Sequence, residues 1–289
     1  AHELGVPLVR VQHHAAHVAA VAAEHGITRD LLGFAWDGAG LGEDRTLWGG
    51  ETLSLEGDRC RRVAHLREFL LPGGETAIRE PRRAALGLLL ATGVPLDTIA
   101  RWFTEGELSV LTEAARKGVN APRTTSVGRL FDAVAAMTGL VGRARYESEA
   151  ALSVEQSVSG FAYDAVDPYP CPVACDRDPW VIETAPLVRA LREDVVAKKP
   201  IAYVSARFHA TLAEVVTEVT ARTGVREVAL GGGCFQNVRL TEHARSRLTA
   251  RGVVVWTPGE LPPGDGGISL GQALVGARRW LRDVSGGSG

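Results

Sequence analysis

The stretch LLGFAWDGAGLGEDRTLWGGETLSL, residues 31–55, decides the fold. Its apolar opening LLGFAWD ends in a carboxylate at Asp37, the glycine-spaced segment GAGLGEDR follows, and TLWGGETLSL reads as a returning strand. That pattern predicts a hairpin with a glycine-rich tip. Residues 60–67 offer a third strand, and PGGE closes the β-rich part.

Immediately upstream, VQHHAAHVAAVAAEHG (11–26) sets three histidines at the start of an alanine-rich helical segment. His13 and His17 stand at i and i+4, so both imidazoles leave one helix face at a separation that one transition-metal ion bridges. The alternative is a chance pairing of solvated or hydrogen-bonded histidines, and His14, beside that face, is ambiguous. A metalloprotease helix carries glutamate directly after its first histidine to deprotonate the metal-bound water. His14 occupies that position, so a site here needs oxygen ligands from elsewhere. Asp37 and Asp265, each followed by glycine, are the candidates.

With 289 residues and 45% hydrophobic content, the chain buries a sizeable core as one large domain or two packed lobes. The balance of 32 Lys+Arg against 34 Asp+Glu gives −2, which makes nucleic acid an unlikely partner and supplies no bulk attraction to an anionic membrane. No apolar run reaches the roughly 18 residues of a membrane span, and four unevenly spaced cysteines do not form a disulfide framework. A reducing cytoplasm is the expected compartment. Cys171 and Cys175 supply only half of a tetrahedral zinc site, and Cys234 reads as a small core residue.

Downstream of residue 77 the character turns helical, with Pro81 in a first turn and further helical periodicity over 96–117. SVGRLFDAVAAMTGL (126–140) keeps Leu130, Val134 and Met137 on one face and turns Asp132 away from it, as for an acid on a solvated face. Helices are expected at 185–197 and 205–223, separated by a short strand, IAYV. An α/β alternation then follows: strand 226–230, the loop GGGCFQN, helix 238–250, strand 253–256 and a closing helix 268–281. Residues 285–289 read as a flexible tail. Gly231, Gly232 and Gly233 either let backbone approach a nucleotide or satisfy a packing constraint, and Asn237 sits at the following helix start. Asp37-Gly38-Ala39-Gly40 has the form of a phosphate-binding turn, and Asp265 reads as a helix cap or a metal ligand.

VQHHAAH, FAWDGAGLGEDRTLWGGE, GRLFDAVAAMTGL, RYESEAA, ARFHATL, LGGGCFQN and GDGGISLGQA, in that order, resemble the carboxyl-terminal domain of the hydrogenase-maturation carbamoyltransferases, the HypF family. That domain is similar to the Kae1 tRNA-modification proteins and to the actin-like ATPases. The resemblance implies an α/β, two-lobed actin-like ATPase (ASKHA) fold. On that basis residues 1–76 are the remainder of a first lobe shortened at its N-terminus. Residues 77–284 are then a helical insertion and a second, nucleotide-binding lobe, with the last helix returning toward the first. It implies metal ligands at His13, His17, Asp37 and Asp265, with catalytic roles for Asp37 and His14. Phosphate contacts fall to Gly38, Ala39 and Gly40, and adenosine contacts to Asp132, Glu147, Gly231, Gly232, Gly233 and Asn237. Where the family has glycine after the glutamate of its YEG segment, Ser148 follows Glu147 here.

The same resemblance implies a carbamoyltransferase module with a divalent metal, zinc or iron, and ATP/AMP or carbamoyl-adenylate. The expected acceptor is the C-terminal cysteine of a HypE-type protein. Adenylation is expected from a YrdC-like domain outside this sequence. O-carbamoylation of a small molecule and a non-catalytic nucleotide-binding scaffold are the alternatives. Threonylcarbamoyl transfer to tRNA is disfavoured by the charge balance and the DGAGLGEDRTLWGGE segment.

Overall fold

A computed structural model describes residues 8–158, 160–162 and 165–286. Its frame is a nine-stranded mixed sheet. Strands β1 (Leu31–Leu41), β2 (Leu47–Glu56) and β3 (Arg59–Leu66) form an antiparallel meander, beside which β4 (Phe69–Leu70) and β5 (Arg123–Thr124) pair. β6 (Val173–Ala174) and β7 (Trp180–Ile182) extend one side, and β8 (Glu227–Gly231) and β9 (Val254–Trp256) the other. The order is β6-β7-β3-β2-β1-β8-β9, with β1, β8 and β9 mutually parallel. Ten α-helices are described: α1 (His13–Glu24), α2 (Thr76–Arg79), α3 (Pro81–Thr92), α4 (Glu105–Arg116), α5 (Val127–Thr138), α6 (Glu149–Gln156), α7 (Ala185–Val196), α8 (Ile201–Thr223), α9 (Val238–Thr249) and α10 (Ile268–Gly286). Among the described residues, no helix is long and apolar enough to cross a membrane.

Side chains alternate along β1, and each face has its own core. Leu31 and Ala35 pack with Val18, Val21 and Ala22 of α1 and Val275 of α10. Leu32, Phe34 and Trp36 join the larger core built with α3, α5, α8 and α9. Burial on both faces is why LLGFAW reads as a continuous apolar run. The same alternation puts Asp37 on the α1 side, facing the histidines.

The structure corrects several expectations. The expected hairpin forms, but its turn is confined to the second half of GAGLGEDR: β1 runs on to Leu41 past an irregularity between Trp36 and Gly40, and the reversal falls at Gly42–Thr46. There Asp44 accepts from the Thr46 amide and hydroxyl and from Trp48 Nε1, chemistry that a glycine count does not register. IAYV forms the first turn of α8, behind Pro200 as its N-cap, because the chain enters the helix earlier than Ser205. The irregular proline-rich segment contributes β6 and β7, too short to show periodicity. Helix α10 continues to Gly286, and 287–289, part of the expected tail, lie outside the described residues. The largest change concerns α5, buried at every position because α3, α6 and β1 all pack on it. Asp132 is therefore buried, not solvated, with Arg129 Nη1 3.0 Å from its Oδ2.

Asn237 is buried and doubly engaged. Its Oδ1 caps α9 by accepting from the Leu240 amide at 2.8 Å, and its Nδ2 lies 3.0 Å from His209 Nε2. His209 Nδ1 lies 2.8 Å from the Ser205 carbonyl, so the proton belongs on Nδ1 and Nε2 accepts. Burial pushes the His209 imidazole down to about 4 from 6.5. A folded-state value below the unfolded one means that the stability from neutral His209 is complete above about pH 6.5 and is lost as pH falls toward 4. The slope is at most about 1.4 kcal/mol per pH unit. Urea titrations across that window are expected to show a falling midpoint that His209→Gln flattens. Equal slopes for the two proteins remove His209 as the source.

Candidate metal and nucleotide site

Helix α1 presents its first-turn imidazoles to the end of β1. Gln12 is its N-cap, accepting from the Ala15 amide at 2.9 Å, which fixes where the helix starts and hence which way His13 and His17 project. Their Nε2 atoms are 3.2 Å apart. Asp37 Oδ2 lies 3.1 Å from His13 Nε2 and 3.6 Å from His17 Nε2, and Asp265 Oδ1 is 3.7 Å from each. One ligand atom from each of the four residues falls within 4.8 Å of all the others. With metal bonds of ~2.0–2.1 Å, two ligand atoms of a tetrahedral ion lie about 3.3 Å apart. The four side chains fit one such ion, and mixed nitrogen and oxygen donors suit zinc or iron. The quartet inferred from the family resemblance is thus brought together from α1, β1 and the loop before α10.

Its electrostatics follow from its packing. Burial acts against charge on Asp37, but hydrogen bonds to His13 and His17 outweigh it and hold the carboxyl well below the usual carboxylate range. The hydrogen bond to Asp37 correspondingly raises His13, against its partial burial. His14 differs. Wholly buried, it is pushed down to about 3 by loss of solvent and then by the neighbouring His13, so it stays neutral. Its Nδ1 lies 3.1 Å from Gln12 Nε2, and its ring packs near Trp48. It is not among the four converging groups.

The glycines find their explanation here. A methyl at Gly40 would lie 2.8 Å from both His13 Cδ2 and His14 Cε1, so β1 passes too close to the imidazoles for any side chain. The Gly233 amide donates to Asp37 Oδ1 at 3.1 Å, leaving Oδ2 for the histidines, and a methyl at Gly233 would strike that oxygen at 2.8 Å. Of the triple glycine, read in sequence as either a nucleotide contact or a packing constraint, Gly233 also seats a carboxylate.

Other residues behave less uniformly. Glu147 is exposed, makes no hydrogen bond among the described residues and is not one of the four converging groups. Ser148 has φ +64°, the left-handed conformation that favours glycine and that a serine adopts only at some cost. Among the described residues Cys171 and Cys175 are free thiols outside any metal-capable group. Burial pushes the Cys234 thiol well up, which leaves it no nucleophile at neutral pH.

Three contributors escaped the sequence reading. Ser126 donates its hydroxyl to the Asp37 carbonyl at 2.7 Å. Glu51, fully buried, accepts from the Gly50 amide, Arg62 Nη2 and Thr125 Oγ1 at 2.6–2.7 Å, tying β2 and β3 to the entry of α5. Glu24, at the far end of α1, accepts from the amides of Gly259, Glu260 and Leu261 and so anchors the loop that carries Asp265.

These features define an α/β protein with a group able to hold one metal ion at the carboxyl ends of parallel strands, where such sheets place their ligands. The family profile described as "Carbamoyltransferase, Kae1-like Domain, second subdomain" matches residues 33–272. Carbamoyltransferase HypF2 of Cupriavidus necator is 39% identical over 95% of this chain and 37% of its own length. A HypF homolog from the same organism is 39% identical, with 96% of this chain and 72% of that protein covered. A crystal structure of full-length HypF in the phosphate- and nucleotide-bound form superposes with TM-score 0.88 at 33% identity, covering 97% of this chain and 44% of that one. The crystal structure of T. kodakarensis HypF gives 0.83 at 30% identity, with 97% and 38% covered. The chain belongs to the HypF carbamoyltransferase family and spans under half the length of most of these relatives.

Asp265→Ala is expected to lower the metal content of the purified protein severalfold, measured by elemental analysis. His14→Ala is expected to leave it unchanged. The reverse pattern shows that the ligands are misassigned.

Proposed function

We propose that this chain is the transfer module of a carbamoyltransferase: it binds carbamoyl-adenylate and delivers the carbamoyl group to the C-terminal cysteine thiolate of a HypE-type acceptor. The observation that carries the reading is the convergence of His13, His17, Asp37 and Asp265, together with membership of a family whose relatives are named carbamoyltransferases. A divalent ion held by these four side chains supplies Lewis-acid polarisation of a phosphoryl or carbamoyl oxygen when bound. The chain's own contribution is preorganisation. Three of the four ligands come from the helix and strand that form the core, and the Asp37 carboxylate is aimed by the Gly233 amide before any substrate arrives.

The thiolate attacks the carbamoyl carbon, the C–O bond to the adenylate phosphate breaks, and AMP leaves with the electron pair. No side chain of this site serves as nucleophile: the Cys234 thiol is protonated, and both histidines of the quartet are ligands. That is the arrangement an external acceptor requires. His14, neutral, buried and outside the four converging groups, is not assigned to proton transfer.

On this reading Glu147, exposed in the loop before α6, receives the ribose hydroxyls. Glu147→Ala is expected to weaken ATP or AMP binding about tenfold with unchanged metal content, and equal affinity by calorimetry removes it from the site. The reaction itself is tested by supplying this polypeptide with carbamoyl-adenylate and a HypE-type acceptor. Mass spectrometry is expected to show a metal-dependent carbamoyl adduct on the acceptor's terminal cysteine. Absence of any adduct favours a scaffold, and an adduct on a small-molecule hydroxyl instead moves the acceptor class. Pyrophosphate release from ATP and carbamoyl phosphate by this polypeptide alone refutes the assignment of adenylation to a separate YrdC-like domain.

A further inference from the structure

Arg129 lies in the first turn of α5 with nine-tenths of its side chain buried, an expensive place for a guanidinium. Among the described residues its one ion pair is with Asp132, 3.0 Å from Nη1, but the two are out of line, and neither Nε nor Nη1 makes a hydrogen bond. Five N–H donors are thus served by one misaligned carboxylate. Buried charges left this way in folded proteins call for a partner.

The direction of the unspent donors is informative. An ideal Cβ built on Gly38 meets a single atom within 4 Å, Arg129 Nη2 at 3.9 Å. The space beside Gly38 is therefore open, and its wall is the guanidinium. Helix α5 itself comes down on this strand, since a methyl at Gly128 would lie 2.7 Å from Gly38 Cα. The positive end of a twelve-residue helix and an arginine fork therefore bound the same gap, one residue along from the Asp37 ligand.

We propose that Arg129 is the phosphoryl-recognition residue of this site: with Asp132 holding one edge, it places Nη2 against a phosphate oxygen lodged beside Gly38. The inference rests on the nucleotide reading given above and deepens it, for it makes the phosphate, and not the adenosine, the group read by α5. The ligand class is a phosphate monoester or the acyl phosphate of an adenylate, with free phosphate sharing the chemistry. Asp132 becomes a positioning residue, turned to the guanidinium and not to the ribose.

The test compares AMP, adenosine and inorganic phosphate by calorimetry on the full chain, with metal content and thermal midpoint recorded for every variant. Arg129→Met is expected to weaken AMP binding by about tenfold or more while leaving adenosine affinity and metal content alone, and Arg129→Lys to recover part of the loss. Gly38→Ala provides the control on folding. Its added methyl makes only ordinary contacts and its backbone is not left-handed, so the thermal midpoint should stay while AMP affinity falls. An AMP-to-adenosine ratio unchanged in Arg129→Met overturns the proposal. If Arg129→Met fails to fold, Gly38→Ala decides: full AMP affinity overturns the assignment. Wild-type protein that binds phosphate through Arg129 but no nucleotide sinks the nucleotide reading and keeps this one. Wild-type protein that binds neither overturns both.

Discussion

The Asp37 carboxylate is the constraint on which this structure turns. One oxygen is held by an amide of the glycine loop after β8, and the other faces two imidazoles of α1, so a single residue joins three elements distant in sequence. Such a group is stable as an anion only because each oxygen has a donor or a cationic neighbour. The geometry around it is correspondingly demanding. β1 approaches His13 and His14 so closely that Gly40 has no room for a side chain, and the Asp37 carbonyl is pinned by Ser126 from the opposite face. Loss of the Gly233 amide or of the imidazoles takes a partner from the buried carboxylate itself.

Much of this was legible in the sequence, and the reason is periodicity. The i, i+4 spacing of His13 and His17 and the alternation that carries Leu31, Ala35 and Asp37 to one face are properties of regular elements, fixed by helix and strand geometry. The distant partner, Asp265, was a candidate from its Asp-Gly loop, and the ordered motifs then placed it with the same ligand set. The glycines were less transparent. Gly38 and Gly40 look like a turn because glycine permits one, yet both lie within β1; at Gly40 the missing side chain makes room for two imidazoles, and beside Gly38 it leaves open space, with no reversal of the chain at either. Glycine reports that something comes close without saying what.

Polar burial was the least legible feature. Asp132 in an apolar helix carries the same letter whether it faces water or the core, and only packing on several sides of α5 reveals which. Burial then pushes its carboxyl up to about 6 despite the adjacent guanidinium. Glu51 repeats the lesson inside a sheet. Burial raises it, while Arg62, Thr125 and two backbone amides oppose that rise, and none of these partners is near in sequence pattern except the amides. Short strands such as β6 and β7 fail for a simpler reason, since two or three residues cannot display a period.

The four ligand residues are unequal in their dependence on the fold. His17 and Asp37 are largely enclosed, whereas the side chain of Asp265 is 76% exposed and has no packing of its own to hold it. Its position must therefore come from backbone, and the tethers are identifiable. Glu24 gathers three amides of the loop at one oxygen, strongly enough to hold its carboxyl below the usual range despite the opposing effect of burial. The Gly232 amide donates to the Pro263 carbonyl at 2.9 Å from the other side. Both tethers start from elements that already carry the site: Glu24 ends the helix that begins with His13, and Gly232 precedes the residue that aims Asp37. The exposed ligand is thus positioned by the same two elements as the buried ones, so that α1 and the glycine loop set all four donors at once while leaving the Asp265 side open to an incoming group.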